Sequence, residues 1–278
     1  MRAATQSLSG LGLNIVLALD HFGRFARFSL YALALVVKEP SSWLRWRQIG
    51  PQLYAVGAAS VAVVAVTGAF IGMILALEGY DQFAALGQEQ QMGGVINSAV
   101  TKQIGPVLAA VMLAGRVGGS LAAELGSMRV TEQLDAMRAM SADPVRTLVV
   151  PRVVACVLMT PLLTIYSDVV GSIGAWAVVT GYFGVTNTDY WHYTAQFVSA
   201  WDPITGVAKS VAFGLVIGLV SCYKGFHSEG GASGVGRAAT EAFVASFLAI
   251  IFVNLVLAQF LGELQKWLDP ASMKTLVS

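Results

Sequence analysis

Five long apolar segments constrain the fold of this chain more than any other feature of its sequence. The hydrocarbon core of a bilayer is about 30 Å thick, so a helix of about 20 apolar residues crosses it. Within that core every backbone polar group must be satisfied inside the protein, which favours helices. The sequence therefore predicts an all-α integral membrane protein with spans near Leu53–Leu77, Gly94–Leu125, Val153–Phe183, Pro203–Cys222 and Ala242–Gly262.

The composition excludes most other classes of protein. Charged residues make up only 12% of the 278 residues, whereas a soluble domain needs about 25%. The two cysteines, Cys156 and Cys222, are too few for a disulfide scaffold, and we expect both to be free thiols. A formal net charge of +1 provides no positive field that would attract nucleic acid.

Basic residues alternate between the two sides of the predicted spans. Six precede the first span, four lie within 129–152 and two within 223–241, whereas the loops 78–93 and 184–202 contain none. Cytoplasmic loops are enriched in arginine and lysine. This pattern predicts a cytoplasmic N-terminus and a periplasmic C-terminus.

The first 52 residues differ from the rest of the chain. The apolar run Leu11–Val37 is interrupted by charged residues, and Phe22, Phe25, Phe28 and Tyr31 recur at helical spacing. This pattern is typical of a helix that lies in the membrane interface. An additional span and a signal peptide are the alternatives. The predicted organisation is an interfacial helix with linker over 1–52, a five-helix transmembrane domain over 53–262 and a tail over 263–278.

The loop between the second and third predicted spans has the pattern of a short amphipathic helix. Within 127–142, Val130, Leu134, Met137 and Met140 recur near helical spacing, and charged residues occupy the other faces. A helix this short is marginal in water by itself, so its apolar stripe must be covered. The cover is either the chain's own bundle or a cytoplasmic protein that docks on this helix.

Charged residues within the predicted spans are energetically costly, so we expect each to have a specific partner or role. Lys102 is predicted near the outer interface, where it either extends toward water or contacts a lipid phosphate. For Arg116 we expect a structural ion pair with Glu124 or Asp168. For Asp168 itself, a packing role is favoured over a proton relay.

Pairs of small residues at four-residue spacing mark faces where membrane helices approach closely. Packing within one chain is the favoured interpretation of each of the three pairs, which are Gly68 with Gly72, Gly115 with Gly119, and Gly214 with Gly218.

Motifs for nucleotide or metal chemistry are absent from the sequence. There is no G-x-x-x-x-G-K-[ST] motif, so we expect this chain to bind no ATP. The histidines His21, His192 and His227 lie in three separate regions, which argues against a metal site. A membrane-embedded lipid-modifying enzyme is the alternative function, but it would need catalytic side chains clustered at one depth.

One long stretch resembles a known family. The segment Gly105–Pro144 reads GPVLAAVMLAGRVGGSLAAELGSMRVTEQLDAMRAMSADP, which resembles the MlaE/YrbE-type permeases of bacterial lipid-transport ABC systems. Further matches in the same order are Gly68–Met73, Leu77–Tyr80, Val149–Arg152 and Lys209–Gly214.

The resemblance implies a fold, partners and a substrate. The expected protein is a homodimeric permease of the bacterial inner membrane, with an N-terminal interfacial helix, five transmembrane helices and a short cytoplasmic coupling helix in each subunit. The implied partners are a pair of cytoplasmic ABC ATPases that bind ATP and Mg, a periplasmic lipid carrier with an MCE domain, and a small STAS-domain protein. The implied substrate is a phospholipid.

The resemblance also implies site residues. We expect the ATPase to contact the coupling helix at Glu132, Leu134, Asp135, Met137, Arg138 and Met140. We expect the phospholipid in a cavity between the two subunits, lined by Ile71, Ile74, Leu75, Glu78 and Tyr80, with Lys102 near its mouth.

One position departs from the family pattern. Related permeases often read Arg-Glu-Leu-Gly-Pro at the start of the second span, whereas this chain reads Lys-Gln-Ile-Gly-Pro from Lys102 to Pro106. The cation is kept, but Gln103 replaces the carboxylate, which puts any ion-pair role of that position in doubt.

Overall fold

The protein is described from a computed structural model, which covers residues 2–39 and 45–268. Within these ranges the regular structure is helical and no strand occurs. The helices are α1 (Arg2–Lys38), α2 (Trp46–Val56), α3 (Val61–Ala85), α4 (Met92–Ala99), α5 (Gly105–Leu113), α6 (Gly119–Val130), α7 (Gln133–Ala139), α8 (Val150–Gly181), α9 (Asn187–Phe197), α10 (Trp201–Phe226) and α11 (Gly231–Leu268).

Five helical segments of the described chain are long and apolar enough to cross a membrane, which confirms the predicted all-α membrane fold. Numbered first to fifth, they are Trp46–Ala85, Glu89–Val130, Val145–Gly181, Trp201–Phe226 and Gly231–Trp267.

Two predicted boundaries differ from the structure. The predicted start of the transmembrane domain at 53 falls inside α2, because that helix already begins the first span. The predicted tail begins at 263, but α11 continues to Leu268, and Glu263 and Lys266 form an i, i+3 ion pair at 2.7 Å on its surface. The remainder of the tail, 269–278, lies outside the described residues.

The third span forms the centre of the bundle. Its helix α8 packs most extensively against α3 of the first span and α10 of the fourth span. In its most apolar stretch 67% of the residues are buried, against 11% in the fifth span. The fifth span is therefore the most peripheral of the five, and most of its surface must face lipid or another protein.

Glycine pairs bring the first and fourth spans close to the third span. Methyl groups added to Gly68 or Gly72 would press against backbone atoms of the third span, and so would methyl groups added to Gly214 or Gly218. The predicted packing role of these two pairs is therefore confirmed within one chain. Methyl groups added to Gly115 or Gly119 in the second span would lie at ordinary van der Waals distance from the fifth span.

Three wide turns of π-helix occur within the described spans. Two of them divide the second span at Val100–Ile104 and Ala114–Gly118, and the third begins the third span at Val145–Val149. π-Helical turns inside α-helices occur frequently at functional sites. Here each turn contains one basic residue, namely Lys102, Arg116 or Arg146.

The two ends of the bundle differ in charge. The end formed by residues 127–152 and 223–241, which we call the basic end, contains all the basic residues of the loops between spans. The helix α1 packs against this end, where Phe25 and Phe28 lie edge-on to the ring of Tyr223 at centroid distances of 5.2 and 5.5 Å. The opposite end is formed by the loops 78–93 and 182–200.

Candidate functional site

The segment 131–144, between the second and third spans, is the predicted docking element, and we call it the coupling segment. The helix α6 ends immediately before it, and the chain turns at Glu132, whose φ of 59° is left-handed. The helix α7 then occupies only Gln133–Ala139. The predicted single helix over 127–142 is therefore divided in two, because a left-handed residue does not continue a right-handed helix.

The apolar stripe of the coupling segment is covered only in part. Leu134 has no exposed surface and lies in an apolar cluster with Leu125 and Val153 of the second and third spans. Met137 is half-buried. Met140, by contrast, is 72% exposed. The chain's own bundle therefore covers Leu134, whereas Met140 is available to a second protein.

Asp135 connects the coupling segment to the spans through two arginines. Its carboxylate accepts hydrogen bonds from Arg129 and from Arg138, each at 2.8 Å. The guanidinium of Arg138 also lies 5.8 Å from the centre of the Phe226 ring, at the end of the fourth span. Glu132 is exposed beside this network. This network therefore links α7 to the second span and to the end of the fourth span.

A further set of contacts joins the coupling segment to α1. The hydroxyl of Tyr31 donates to the carboxylate of Asp143 at 2.6 Å, and the backbone N–H of Val145 donates to the same carboxylate at 2.9 Å. Arg146 pairs with Glu39 at 2.6 Å. Because the carboxylate of Asp143 accepts its hydrogen bond, the pKa of Tyr31 is raised. Sequence analysis did not predict these contacts, since no local pattern relates residues so far apart.

The predicted cavity residues of the first span divide between two faces of α3. Ile74 and Glu78 are exposed, whereas Ile71 and Leu75 are half-buried. Tyr80 stacks face to face on an aromatic ring just beyond the third span, with the ring centroids 3.6 Å apart. These residues therefore do not enclose a cavity together within one chain.

An exposed apolar stripe follows the outer face of α3. Its members recur every three or four residues and are each at least 41% exposed; they are Val63, Val66, Phe70, Ile74 and Leu77. Since α3 already uses its other face to contact the third span, no part of the described chain covers this stripe, which is therefore free to contact lipid or a separate protein surface.

Lys102 makes polar contacts with the fourth and fifth spans. Its ammonium group lies 3.4 Å from the carboxylate of Asp202 and donates to the amide oxygen of Gln265 at 3.4 Å. Asp202 is 3% exposed and also accepts hydrogen bonds from Ser98 and Ser199. Lys102 therefore has a protein partner, which the sequence-based choice between water and a lipid phosphate did not include.

The amide of Gln103 has a specific partner in the fourth span. The ammonium group of Lys209, which is 2% exposed, donates to the side-chain oxygen of Gln103 and to the backbone oxygen of Lys102. Both acceptors are neutral. A glutamate at this position, which the resemblance led us to expect, would face the lysine directly, whereas Gln103 places no carboxylate beside this buried cation.

The predicted ion pair of Arg116 is wrong. Its guanidinium donates instead to the hydroxyl of Ser60 at 2.6 Å, because the break between α2 and α3 brings that residue beside the second span. Glu124 pairs with the buried Arg152 of the third span at 2.7 Å. Asp168 packs against a glycine of the second span. The three charges therefore have three separate environments.

Comparisons with known proteins show the family. Residues 49–260 match the family model described as Permease MlaE. A probable ABC transporter permease protein of Rickettsia typhi is 40% identical over 239 residues, covering 86% of this chain and 91% of the relative. One of Synechocystis is 40% identical over 207 residues, covering 74% and 79%. The intermembrane phospholipid transport system permease protein MlaE of Haemophilus influenzae is 28% identical over 251 residues, covering 90% and 95%.

The family match extends from the first span to the fifth and includes the coupling segment. These relatives are named as probable permeases of ABC transporters. The comparisons therefore favour a transport subunit over the alternative interpretation, a lipid-modifying enzyme. The chain belongs to the MlaE permease family and is the permease subunit of an ABC transporter.

Proposed function

We propose that this permease moves phospholipids between membranes as a homodimer, driven by a pair of cytoplasmic ABC ATPases that bind ATP and Mg²⁺. The relative from Haemophilus influenzae is named for intermembrane phospholipid transport and aligns with 90% of this chain. An MCE-domain lipid carrier on the periplasmic side and a STAS-domain protein beside the ATPase complete the proposed assembly.

The coupling segment is the observation on which this proposal depends most. It is anchored to the bundle by Leu134 and Asp135, yet it presents Glu132 and Met140 on its surface. An ATPase that pushes on such an element changes the relative energy of two packings of the spans. This is the property required of a coupling helix.

The charge difference between the two ends supports an orientation. The basic end includes Arg129, Arg138, Arg146, Lys224 and Arg237, and basic residues accumulate on the cytoplasmic side of membrane proteins. We therefore place the coupling segment and the N-terminus in the cytoplasm and the C-terminus in the periplasm, with α1 in the cytoplasmic interface of the inner membrane.

The exposed stripe of α3 supports the homodimer and its lipid cavity. A stripe of Val63, Val66, Phe70, Ile74 and Leu77 in each of two copies would line an apolar space wide enough for acyl chains when the copies meet around it. Glu78 lies one turn beyond Ile74, toward the periplasmic end, where a polar headgroup would lie.

Co-purification with the ATPase tests the proposed docking. In Met140→Glu, a carboxylate replaces a 72% exposed apolar side chain of the coupling segment, while Leu134 stays buried. We expect the variant to insert normally but to lose the ATPase subunits and the hydrolysis they perform in the complex, since docking surfaces reject an unpaired charge. Immunoprecipitation from native membranes followed by mass spectrometry measures this.

A matched control comes from the opposite end of the bundle. Leu86 is 71% exposed in the loop after α3, so Leu86→Glu adds the same charge at equal exposure. This variant is expected to retain the ATPase in full. Equal retention in both variants, or equal loss, would contradict docking at the coupling segment.

A further inference from the structure

A cavity of about 550 Å³ lies between the first and second spans. It is distinct from the exposed stripe of α3, because its walls come from α2, from the turn after α2, and from the second span. We call it the basal cavity. Its polar lining residues are Gln52, Tyr54, Arg116, Ser120 and Glu124.

The charges in the basal cavity do not cancel. Glu124 is paired with Arg152 at 2.7 Å, so that carboxylate is already neutralised by an arginine from the third span. Arg116 forms none of the ion pairs found among the described residues, and its one hydrogen-bond acceptor is the neutral hydroxyl of Ser60. A guanidinium has five N–H donors, so most of those of Arg116 remain for a ligand.

The depth of the cavity makes an unpaired cation costly. Arg116 is 14 residues before the end of α6, which corresponds to about 21 Å along the helix at 1.5 Å per residue. A charged side chain at such depth faces a protein interior, a watery cavity or a counter-charge. Tyr54, which lines the cavity, is 70% exposed.

We propose that the basal cavity binds a phosphate group, with Arg116 as its principal donor and Gln52 and Ser120 as neutral hydrogen-bonding groups. A planar guanidinium pairs with phosphate oxygens through two parallel hydrogen bonds. Phosphate offers Arg116 a negative partner, since the carboxylate of Glu124 is already paired with Arg152, and the volume is that of an ordinary small-ligand pocket. The inference rests on the proposed function, because a phospholipid of the cytoplasmic leaflet would be the source of this group.

Retention of phospholipid by the purified complex tests the inference. The full chain, purified with its ATPase, is incubated in mixed micelles with dioleoylphosphatidylglycerol, and the bound lipid is quantified by mass spectrometry. Arg116→Gln is expected to weaken retention about tenfold, the effect of one lost charge-assisted hydrogen bond. Arg116→Lys keeps the positive charge but lacks the planar guanidinium that forms two parallel hydrogen bonds. It is expected to retain an intermediate amount of phospholipid.

The control variant is Arg237→Gln, which removes a 67% exposed arginine of the basic end outside the basal cavity. It is expected to retain lipid as the unmodified chain does. Equal lipid retention together with equal binding of inorganic phosphate in Arg116→Gln and Arg237→Gln would overturn the inference. So would loss of the dimer on gel filtration in both Arg116 variants, because the arginine would then be part of an interface between copies.

Two further experiments distinguish a phospholipid headgroup from free phosphate as the ligand, and distinguish failure of this inference from failure of the proposed function. Equilibrium dialysis of delipidated complex against inorganic phosphate, with binding lost in Arg116→Gln while lipid retention is unchanged, would identify free phosphate as the ligand. If the unmodified complex transfers phospholipid between vesicles, and Arg116→Gln binds both phospholipid and inorganic phosphate as well as the unmodified complex does, only the present inference is wrong. If the unmodified complex neither retains nor transfers phospholipid, the proposed function is wrong as well.

Discussion

The guanidinium of Arg152 is only 4% exposed, yet it sits in a membrane span. It is held by the carboxylate of Glu124 at 2.7 Å and by the backbone oxygen of Leu148 at 2.8 Å. The sequence pattern identified Glu124 as a structural charge but offered it, as an alternative to Asp168, as the partner of Arg116. Spacing along one helix shows which residues share a face, but it does not show which neighbouring helix meets that face.

Removing the carboxylate should leave a buried charge without a counter-charge. We predict that Glu124→Gln lowers stability by about 1–3 kcal/mol, because Arg152 keeps its neutral acceptor but loses its ionic one. The measurement is the midpoint of thermal unfolding in detergent. The control is Glu241→Gln, whose carboxylate pairs with Lys224 at the surface and is expected to cost less than about 1 kcal/mol. Equal shifts in the two variants would contradict the assignment.

Tyr190, at the opposite end of the bundle, is predicted to make the stability of the fold depend on pH in the alkaline range. Its side chain is fully buried in α9, where its hydroxyl accepts from the amide of Asn97 at 3.0 Å and donates to the backbone oxygen of Ser172 at 3.0 Å. Burial raises the pKa of Tyr190 from 10.0 to about 12. The folded state therefore favours the neutral phenol.

The sign of the effect follows from the raised pKa. The stabilisation is complete below pH 10, the pKa of the unfolded chain, and is lost as the pH rises toward 12. We predict that the unfolding midpoint falls more steeply over this interval in the unmodified chain than in Tyr190→Phe, which has no phenol to ionise. Identical slopes for the two proteins would show that Tyr190 does not titrate with folding.

Among the helices, the five long spans could be predicted from the apolar runs of the sequence, but the π-helical turns and breaks within them could not. A run of 20 apolar residues needs a helix to cross lipid, so the five spans are fixed by composition and length. A π-helical turn such as Ala114–Gly118 adds a residue to one turn without changing that composition. The division of 127–142 at Glu132 escaped prediction for a similar reason, since a non-glycine residue with positive φ has no strong sequence signal.

The packing of the first span on the third is predicted to tolerate no side chain at Gly72. A methyl group there would collide with the carbonyl group of Gly171, whereas a methyl group at Gly115 would meet Phe243 at 3.5 Å, an ordinary contact. We expect Gly72→Ala to cost about 1–3 kcal/mol, as overpacked cores do. Gly115→Ala should unfold close to the unmodified midpoint. A Gly72→Ala protein that unfolds like Gly115→Ala would contradict the close approach.

At the scale of the whole molecule, the third span is enclosed while the first and fifth spans leave apolar faces uncovered. The resemblance to MlaE-type permeases predicted the family, and the family model confirmed it. The proposed lipid cavity was not predictable in the same detail, because residues such as Ile71 and Ile74 would form it only with the surface of a second copy. The described chain would supply one wall of that space.

The most direct test of the central claim is cross-linking from the coupling segment in native membranes. Met140→Cys places a thiol on an exposed site, while the two native cysteines, Cys156 and Cys222, are buried. We predict that a thiol-specific cross-linker joins this position to an ABC ATPase, that Leu86→Cys is not joined to it, and that a membrane-impermeant thiol reagent added outside labels only Leu86→Cys. Labelling of Met140→Cys from the outside, or cross-links to no ATPase, would contradict the account.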